Sequence, residues 1–340
     1  MKNIFLKRGT AIILAGIMSA TGIAGCSRQQ ETQKKSIRIG VGLYRGDDTF
    51  ISTLRSALEE KAKEYERETG IKVTMDIVDA KENQSTQNNQ VERFISLGCD
   101  CLCVNLVDRS AASNIIDKAI NSSVPVVFFN REPVEEDMSR WENLYYVGED
   151  AKESAILQGN IVVDAYKDNP QSVDYNGDGV VRYVLLEGES SHQDSLIRTE
   201  WSVKTIKKGG VPLEKITGGI ANWDRSQASA LMEQWLNQYP DQIELVICNN
   251  DDMALGAIDA IKRLKVHGIQ LVGIDGTPVG KDAIREGSLL GSVEADMDDY
   301  AGAIFSIAAA KALGQPVDET LKLTDGKYYN APQMPIIKEK

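Results

Sequence analysis

The residues able to do chemistry gather at a few places along the chain. Tyr44-Arg45-Gly46-Asp47-Asp48-Thr49-Phe50 sets carboxylates and an aromatic ring where an apolar run gives way to a helical pattern. Ionised carboxylates accept hydroxyl protons in charge-assisted hydrogen bonds, and an aromatic face covers the apolar C–H patches of a sugar ring. Asp48 and Phe50 together therefore suit a sugar, although the same residues could simply cap a helix and pack. A second cluster runs from Gly188 to Arg198 and holds His192, Asp194 and Arg198 in one loop and the first turn of a helix. Arginine offers a planar fork of donors for sugar oxygens, and a neighbouring aspartate can orient it. Trp223, in Ile220-Ala221-Asn222-Trp223-Asp224, is a candidate stacking surface to partner Phe50. Asn250, Asp251 and Asp252 after one apolar run, and Asp275 after Gly273-Ile274, complete a polar set. The joint occurrence of these residues carries the reading.

Chemistry that transforms a substrate fits less well. Ser, His and Asp occur together near His192, but no Gly-x-Ser-x-Gly elbow precedes them and they lie too close in sequence for a triad. A glycoside hydrolase would need two carboxylates across a cleft, for which Asp48 and Asp194 could be cast; absence of oligosaccharide cleavage would remove that reading. The expectation is a binding protein and not an enzyme.

One loop reads as a metal site. Asp174-Tyr175-Asn176-Gly177-Asp178-Gly179-Val180-Val181-Arg182 matches the first nine positions of an EF-hand loop, with oxygen side chains at the first, third and fifth places, glycine at the sixth and a backbone carbonyl from Val180 at the seventh. The twelfth position is Leu185, so a remote carboxylate must close a calcium shell, and Arg182 at the ninth place repels the ion unless it swings outward.

These residues need a frame. Short β-branched apolar runs alternate with amphipathic stretches, the pattern of parallel sheets covered by helices. Strands are predicted at residues 37–44, 72–78, 101–106, 124–129, 181–186, 243–248 and 270–274. Helices are predicted from Phe50 to a stop at Gly70, from about residue 84, and over 110–120. The runs Cys101-Leu102-Cys103-Val104-Asn105 and Leu245-Val246-Ile247-Cys248-Asn249-Asn250 echo each other, so two α/β domains in tandem are expected. In such sheets ligands sit beyond the carboxyl ends of strands, where the polar set falls. Cys99, Cys101, Cys103 and Cys248 read as buried core residues, with Cys99, Cys101 and Cys103 on one strand face.

Lys2, Lys7 and Arg8 followed by an apolar run ending Ile23-Ala24-Gly25-Cys26 read as an export signal over residues 1–25. The ending is similar to a lipobox, which makes Cys26 the lipidation site and the cell membrane's extracytoplasmic face the location. Residues 26–36 lack apolar side chains beyond the anchor and read as a solvated tether. The chain's net charge is −12, and without clustered Lys and Arg it argues against a nucleic-acid partner. A sugar-responsive transcription regulator would need a basic helix-turn-helix where the signal lies.

The chain resembles the periplasmic galactose/glucose-binding proteins, substrate-binding members of bacterial ABC sugar transporters. The resemblance runs from Ile39-Gly40-Val41 through Asn105-Leu106-Val107-Asp108, Val124 to Pro133, Tyr146-Val147-Gly148 and Val184 to Glu189 to Asn249-Asn250-Asp251, with the calcium loop in register. It implies a type I periplasmic binding protein: two Rossmann-like lobes with parallel sheets, joined by a three-stranded hinge that closes on the sugar. The lobes are expected at 37–148 plus 297–328 and at 149–296 plus 329–340. Carried over, the aromatic sandwich falls on Phe50 and Trp223. The hydrogen-bonding set falls on Asp48, Asn105, His192, Asp194, Arg198, Asn250 and Asp275. Structural calcium is implied at Asp174, Asn176, Asp178, the carbonyl of Val180 and the remote Glu244. A further family asparagine aligns with Ala295, and a family amide ligand with Arg182. The implied partners of a monomeric receptor are galactose or glucose, an ABC permease and a chemoreceptor. A receptor for another sugar or sugar-like signal is the alternative.

Overall fold

In a computed structural model that describes residues 34–338, two six-stranded sheets form, each covered by helices on both faces. The expected signal, Cys26 and the tether to residue 33 lie outside the described residues. The first lobe begins with β1 (Ser36–Leu43), α1 (Thr49–Thr69), β2 (Lys72–Asp79), α2 (Gln84–Ser96), β3 (Cys101–Val104), α3 (Ser113–Ser122), β4 (Val126–Phe129), α4 (Glu135–Met138) and β5 (Leu144–Gly148). The second follows with α5 (Ala151–Asp168), β6 (Val181–Glu187), α6 (Gln193–Lys208), β7 (Leu213–Ile220), α7 (Arg225–Gln238), β8 (Leu245–Cys248), α8 (Asp251–Leu264), β9 (Gln270–Val272), α9 (Pro278–Glu286) and β10 (Gly291–Ala295). The chain then returns to the first lobe as α10 (Met297–Ala312) and β11 (Tyr328–Asn330), and ends in the second as β12 (Gln333–Ile337).

Strand alternation explains the layering. Ile37, Ile39, Val41 and Leu43 of β1 point into one core with α1 and α10, while Leu102 and Val104 of β3 point into the opposite core with α2 and α3. On β1's other face Gly40 lets Phe94 of α2 lie on the sheet; a Cβ there would fall 2.5 Å from the ring. The second lobe repeats the scheme, with Val184 and Leu186 of β6 on one face and Tyr183 and Leu185 on the other. Cys101 and Cys103 share one face as expected, but Cys99 packs in the opposite core. It precedes the start of β3, so strand alternation does not bind it.

The sheet orders are β11-β5-β4-β3-β1-β2 and β12-β10-β9-β8-β6-β7. Each reverses direction between its first and third strands, which opens a crevice at β1/β3 in one lobe and at β6/β8 in the other. All pairings are parallel except β10 with β12. The single antiparallel pairing has a geometric reason. The lobes face each other with strand carboxyl ends, so a chain running straight from β11 enters the second sheet against its direction. The expected boundary at 328/329 shifts likewise, because residues 328–330 pair with β5.

Three crossings connect the lobes, and they lie side by side. The Ala331 amide donates to the Gly148 carbonyl at 2.8 Å and the Asp296 amide to the Pro332 carbonyl at 2.9 Å.

Candidate functional site

Loops after β1 and β6, and the first turns of the helices they enter, meet in a narrow cleft between the lobes. Of the nine residues expected to hold a sugar, eight line it: Asp48 and Phe50 from the first lobe, and His192, Asp194, Arg198, Trp223, Asn250 and Asp275 from the second. Asn105 does not reach it. Its side chain is fully buried, with Oδ1 accepting from the Tyr44 amide at 3.3 Å and Nδ2 donating to the Phe129 carbonyl and to Asn130 Oδ1. Asn249 does the same work in the second lobe, where its Oδ1 accepts from the Gly188 amide at 3.0 Å. Each asparagine thus ends a third strand and pins the loop beyond the neighbouring first strand, which is the physical content of the sequence echo.

Several cleft residues do two jobs at once. Asp48, His192 and Asn250 are the N-caps of α1, α6 and α8. Asp48 Oδ1 accepts from the Ile51 amide at 2.9 Å while Oδ2 takes the Tyr44 hydroxyl proton at 2.6 Å. Such caps contribute about 1 kcal/mol each and fix the side chains at the cleft wall. Asn250 uses Oδ1 as its cap acceptor, which leaves the Nδ2 hydrogens for a ligand. His192 Nδ1 accepts from the Asp194 amide. Burial and the nearby Arg131, Arg198 and Arg109 hold its pKa well below the usual value, so the ring is neutral with its proton on Nε2.

Trp223 sits at a left-handed φ of 61° and meets the His192 ring edge-on, centroids 5.2 Å apart. Its Nε1 is buried without a partner among the described residues. The indole packs directly over Gly188, where a Cβ would fall 2.2 Å from the ring. Replacing Gly188 with alanine is therefore expected to displace the indole and weaken ligand binding at least tenfold with the fold retained; equal affinities by titration would contradict this.

Arg198 is the electrostatic hub. It is buried, donates to the Asn249 carbonyl and to Glu149 at 3.0 Å each, and lies 3.8 Å from Asp194 and 3.7 Å from Asp275. Burial raises the pKa of all three carboxyls, with Arg198 countering: Glu149 to about 7, Asp194 upward and Asp275 well upward.

Tyr44, Asn130, Arg131 and Glu149 also line the cleft and were not among the expected residues. Each follows a strand end, after β1, β4 or β5, so the strand-end rule that selected Asp275 would have found them. Arg131 stacks its guanidinium 3.8 Å over the Tyr44 ring and grips Glu189 of the other lobe with two bonds of 2.8 and 2.7 Å. Arg109 reaches across to Gln193 at 2.7 Å. The lobes are thereby bridged at the cleft edge.

The Asp174–Arg182 loop lies away from the cleft. Asp174 accepts from the amides of Gly177 and Gly179, Asn176 from that of Asp178, and Asp178 from that of Val180. Glu244, from just before β8, reaches the loop as the sequence implied and accepts from the amides of Asn176 and Arg182. The oxygen donors needed for calcium are thus present by type. In the arrangement adopted, however, Arg182 binds Asp178 Oδ2 at 2.6 Å, and among the described residues no three acidic, His or Cys side chains converge as a metal shell requires.

Comparison with known proteins bears on this geometry. Residues 39–316 match the family described as periplasmic binding protein domain. The D-galactose/methyl-galactoside binding periplasmic protein of Haemophilus influenzae is 37% identical over 288 residues, 84% of each chain. A putative rhizopine-binding protein of Rhizobium meliloti is 30% identical over 85% of each chain. The crystal structure of an ABC transporter solute binding protein of Bacillus halodurans with bound myo-inositol superposes with a TM-score of 0.73 at 28% identity, covering 90% of this chain and 96% of that one. Its two facing lobes, its cleft and the match over most of its length place this chain in the periplasmic binding protein family, whose members here are binding proteins and not enzymes.

Proposed function

We propose that this protein is the sugar receptor of an ABC importer, that it binds D-galactose or D-glucose between its lobes, and that it hands the sugar unaltered to a membrane permease. The observation that carries the reading is the meeting of Phe50 and Trp223, from opposite lobes, in one cleft with Asp48, His192, Asp194, Arg198, Asn250 and Asp275. Two aromatic faces suit the apolar faces of a pyranose, and carboxylates beside a guanidinium and a neutral histidine suit its hydroxyls. The similarity to the galactoside-binding relative points the same way. Calorimetric titration with galactose, glucose, ribose and xylose tests it. Saturable binding of a hexose is the expected result, and binding of a pentose alone, or of nothing, would overturn it.

In this reading the sugar is the bridge that stabilises lobe closure, and the closed form docks on the permease through surface charges of both lobes. A chemoreceptor would read the same closed form. Lipidation at Cys26 would hold the monomeric receptor at the outer face of the cell membrane. Mass spectrometry of the N-terminal peptide, with acyl chains on Cys26, checks the anchor.

We also propose calcium as the ion of the Asp174–Arg182 loop, in competition with Arg182. Asp174, Asn176, Asp178, the carbonyl of Val180 and Glu244 would hold it, bracing the second lobe remote from the cleft. Entry requires the guanidinium to leave Asp178, so Arg182→Gln is expected to bind calcium at least tenfold more tightly than the wild type, about 1.4 kcal/mol, by calorimetry. Equal affinities would remove the competition, and no binding by either protein would remove the site.

A further inference from the structure

Glu149 is the first residue beyond β5 and opens the first crossing between the lobes. Its side chain is 6% exposed and lines the cleft. Oε2 accepts from Arg198 at 3.0 Å, whereas Oε1 is buried and has no hydrogen-bond partner among the described residues. A buried carboxylate oxygen is seldom left unpaired, and each such case calls for an explanation. Of the donors nearby, the Tyr300 hydroxyl goes to the Val147 carbonyl and the Tyr146 hydroxyl to the Asn130 carbonyl, while Arg198 also serves the Asn249 carbonyl, faces Asp194 and Asp275, and keeps its Nε unpaired among the described residues. One guanidinium thus answers three carboxyls, and the residue that carries the unanswered oxygen lines the cleft.

We infer that Glu149 is a ligand-binding residue that sets specificity, its free Oε1 accepting a hydrogen bond from a hydroxyl of the bound monosaccharide. The inference rests on the sugar reading above and extends its contact set to the hinge side of the cleft. A site built to pair with a hydroxyl rejects an analogue lacking it far more strongly than a merely apolar contact could, because the buried acceptor is then stranded. Glu149 therefore makes the protein demand a free hydroxyl at one ring position, where a deoxy or O-methyl sugar fails.

The test is calorimetric titration of the compact unit from Lys34 to Lys340 as wild type, Glu149→Gln and Glu149→Leu. The probes are galactose, glucose, their monodeoxy analogues, myo-inositol and galactosamine, and a thermal melt of each variant separates lost binding from lost fold. The wild type is expected to bind one monodeoxy analogue at least a hundredfold more weakly than its parent. Glu149→Leu should bind that parent about as weakly and no longer distinguish the two, with Glu149→Gln between. Equal hexose affinity of wild type and Glu149→Leu, or a discrimination that survives the leucine, overturns the assignment. Galactosamine preferred over galactose only when Glu149 is present overturns the hydroxyl in favour of an ammonium group. Failure of the wild type to bind any probe overturns the sugar reading itself, a result distinct from each of these.

Discussion

Replacing Arg198 with methionine is expected to destabilise the protein by roughly 3–5 kcal/mol, the usual cost of stranding buried charges by deleting their partner, and to abolish sugar binding. Arg198 is within 3.0 to 3.8 Å of Glu149, Asp194 and Asp275, whose side chains are 6%, 14% and 8% exposed. Methionine keeps the apolar volume but leaves three carboxyls without a cation. The pH dependence has a definite sign. Burial already lifts these carboxyls above their ordinary values, so the folded state holds protons that the unfolded chain has released. Their contribution favours folding at low pH and is lost as pH rises toward the folded value, about 7 for Glu149. Removing Arg198 lifts them further. The deficit of the variant should therefore be smaller at pH 5 than at pH 8 in chemical denaturation. A uniform deficit across that range would mean that packing, and not charge, makes Arg198 important.

Trp223→Ala is expected to weaken hexose binding by about 2 kcal/mol or more, near thirtyfold, as for a buried aromatic anchor, and to lower the melting temperature as well, because the ring is part of the second lobe's core. The indole borders the cleft, its Nε1 has no partner among the described residues, and it meets the His192 edge and bare Gly188. It also belongs to the second lobe's core, so part of the fold leans on it. Phe50→Ala should behave in the same way, because that ring packs against Tyr300, centroids 6.0 Å apart, in the first core, so stability and affinity should fall together. If Trp223→Ala bound hexose as tightly as the wild type, the aromatic sandwich would have to be abandoned.

Much of this was legible beforehand because sheet proteins write their switch points into the chain. The β-branched runs marked seven of the twelve described strands to within a few residues and missed β5, β7, β10, β11 and β12, and Gly70, at φ 72°, ends α1 where the sequence stops it. Strand-end polar residues then fell into one cleft because topology, and not sequence distance, brings Asp48 and Asp275 together. What the pattern could not supply was the division of labour among those residues. Asn105 and Asn250 look alike in sequence, yet one is spent on the Tyr44 amide and Phe129 carbonyl behind the wall while the other caps a helix within it. The role of Arg131 also needed coordinates, since its partner Glu189 lies 58 residues away in the opposite lobe.

That last pair has a consequence for traffic across the membrane. Arg131 with Glu189 and Arg109 with Gln193 join the lobes through protein atoms alone, so they favour the shut form whether or not cargo is inside. A contact worth 1.4 kcal/mol multiplies the shut-to-open ratio tenfold. In the proposed importer, vacant shut receptors would compete with loaded ones for the same permease, and this idle fraction would throttle uptake at low sugar. Loosening the clasp, as in Glu189→Gln, trades tighter retention of sugar for fewer fruitless encounters, and import assays at scarce and abundant sugar should move in opposite directions.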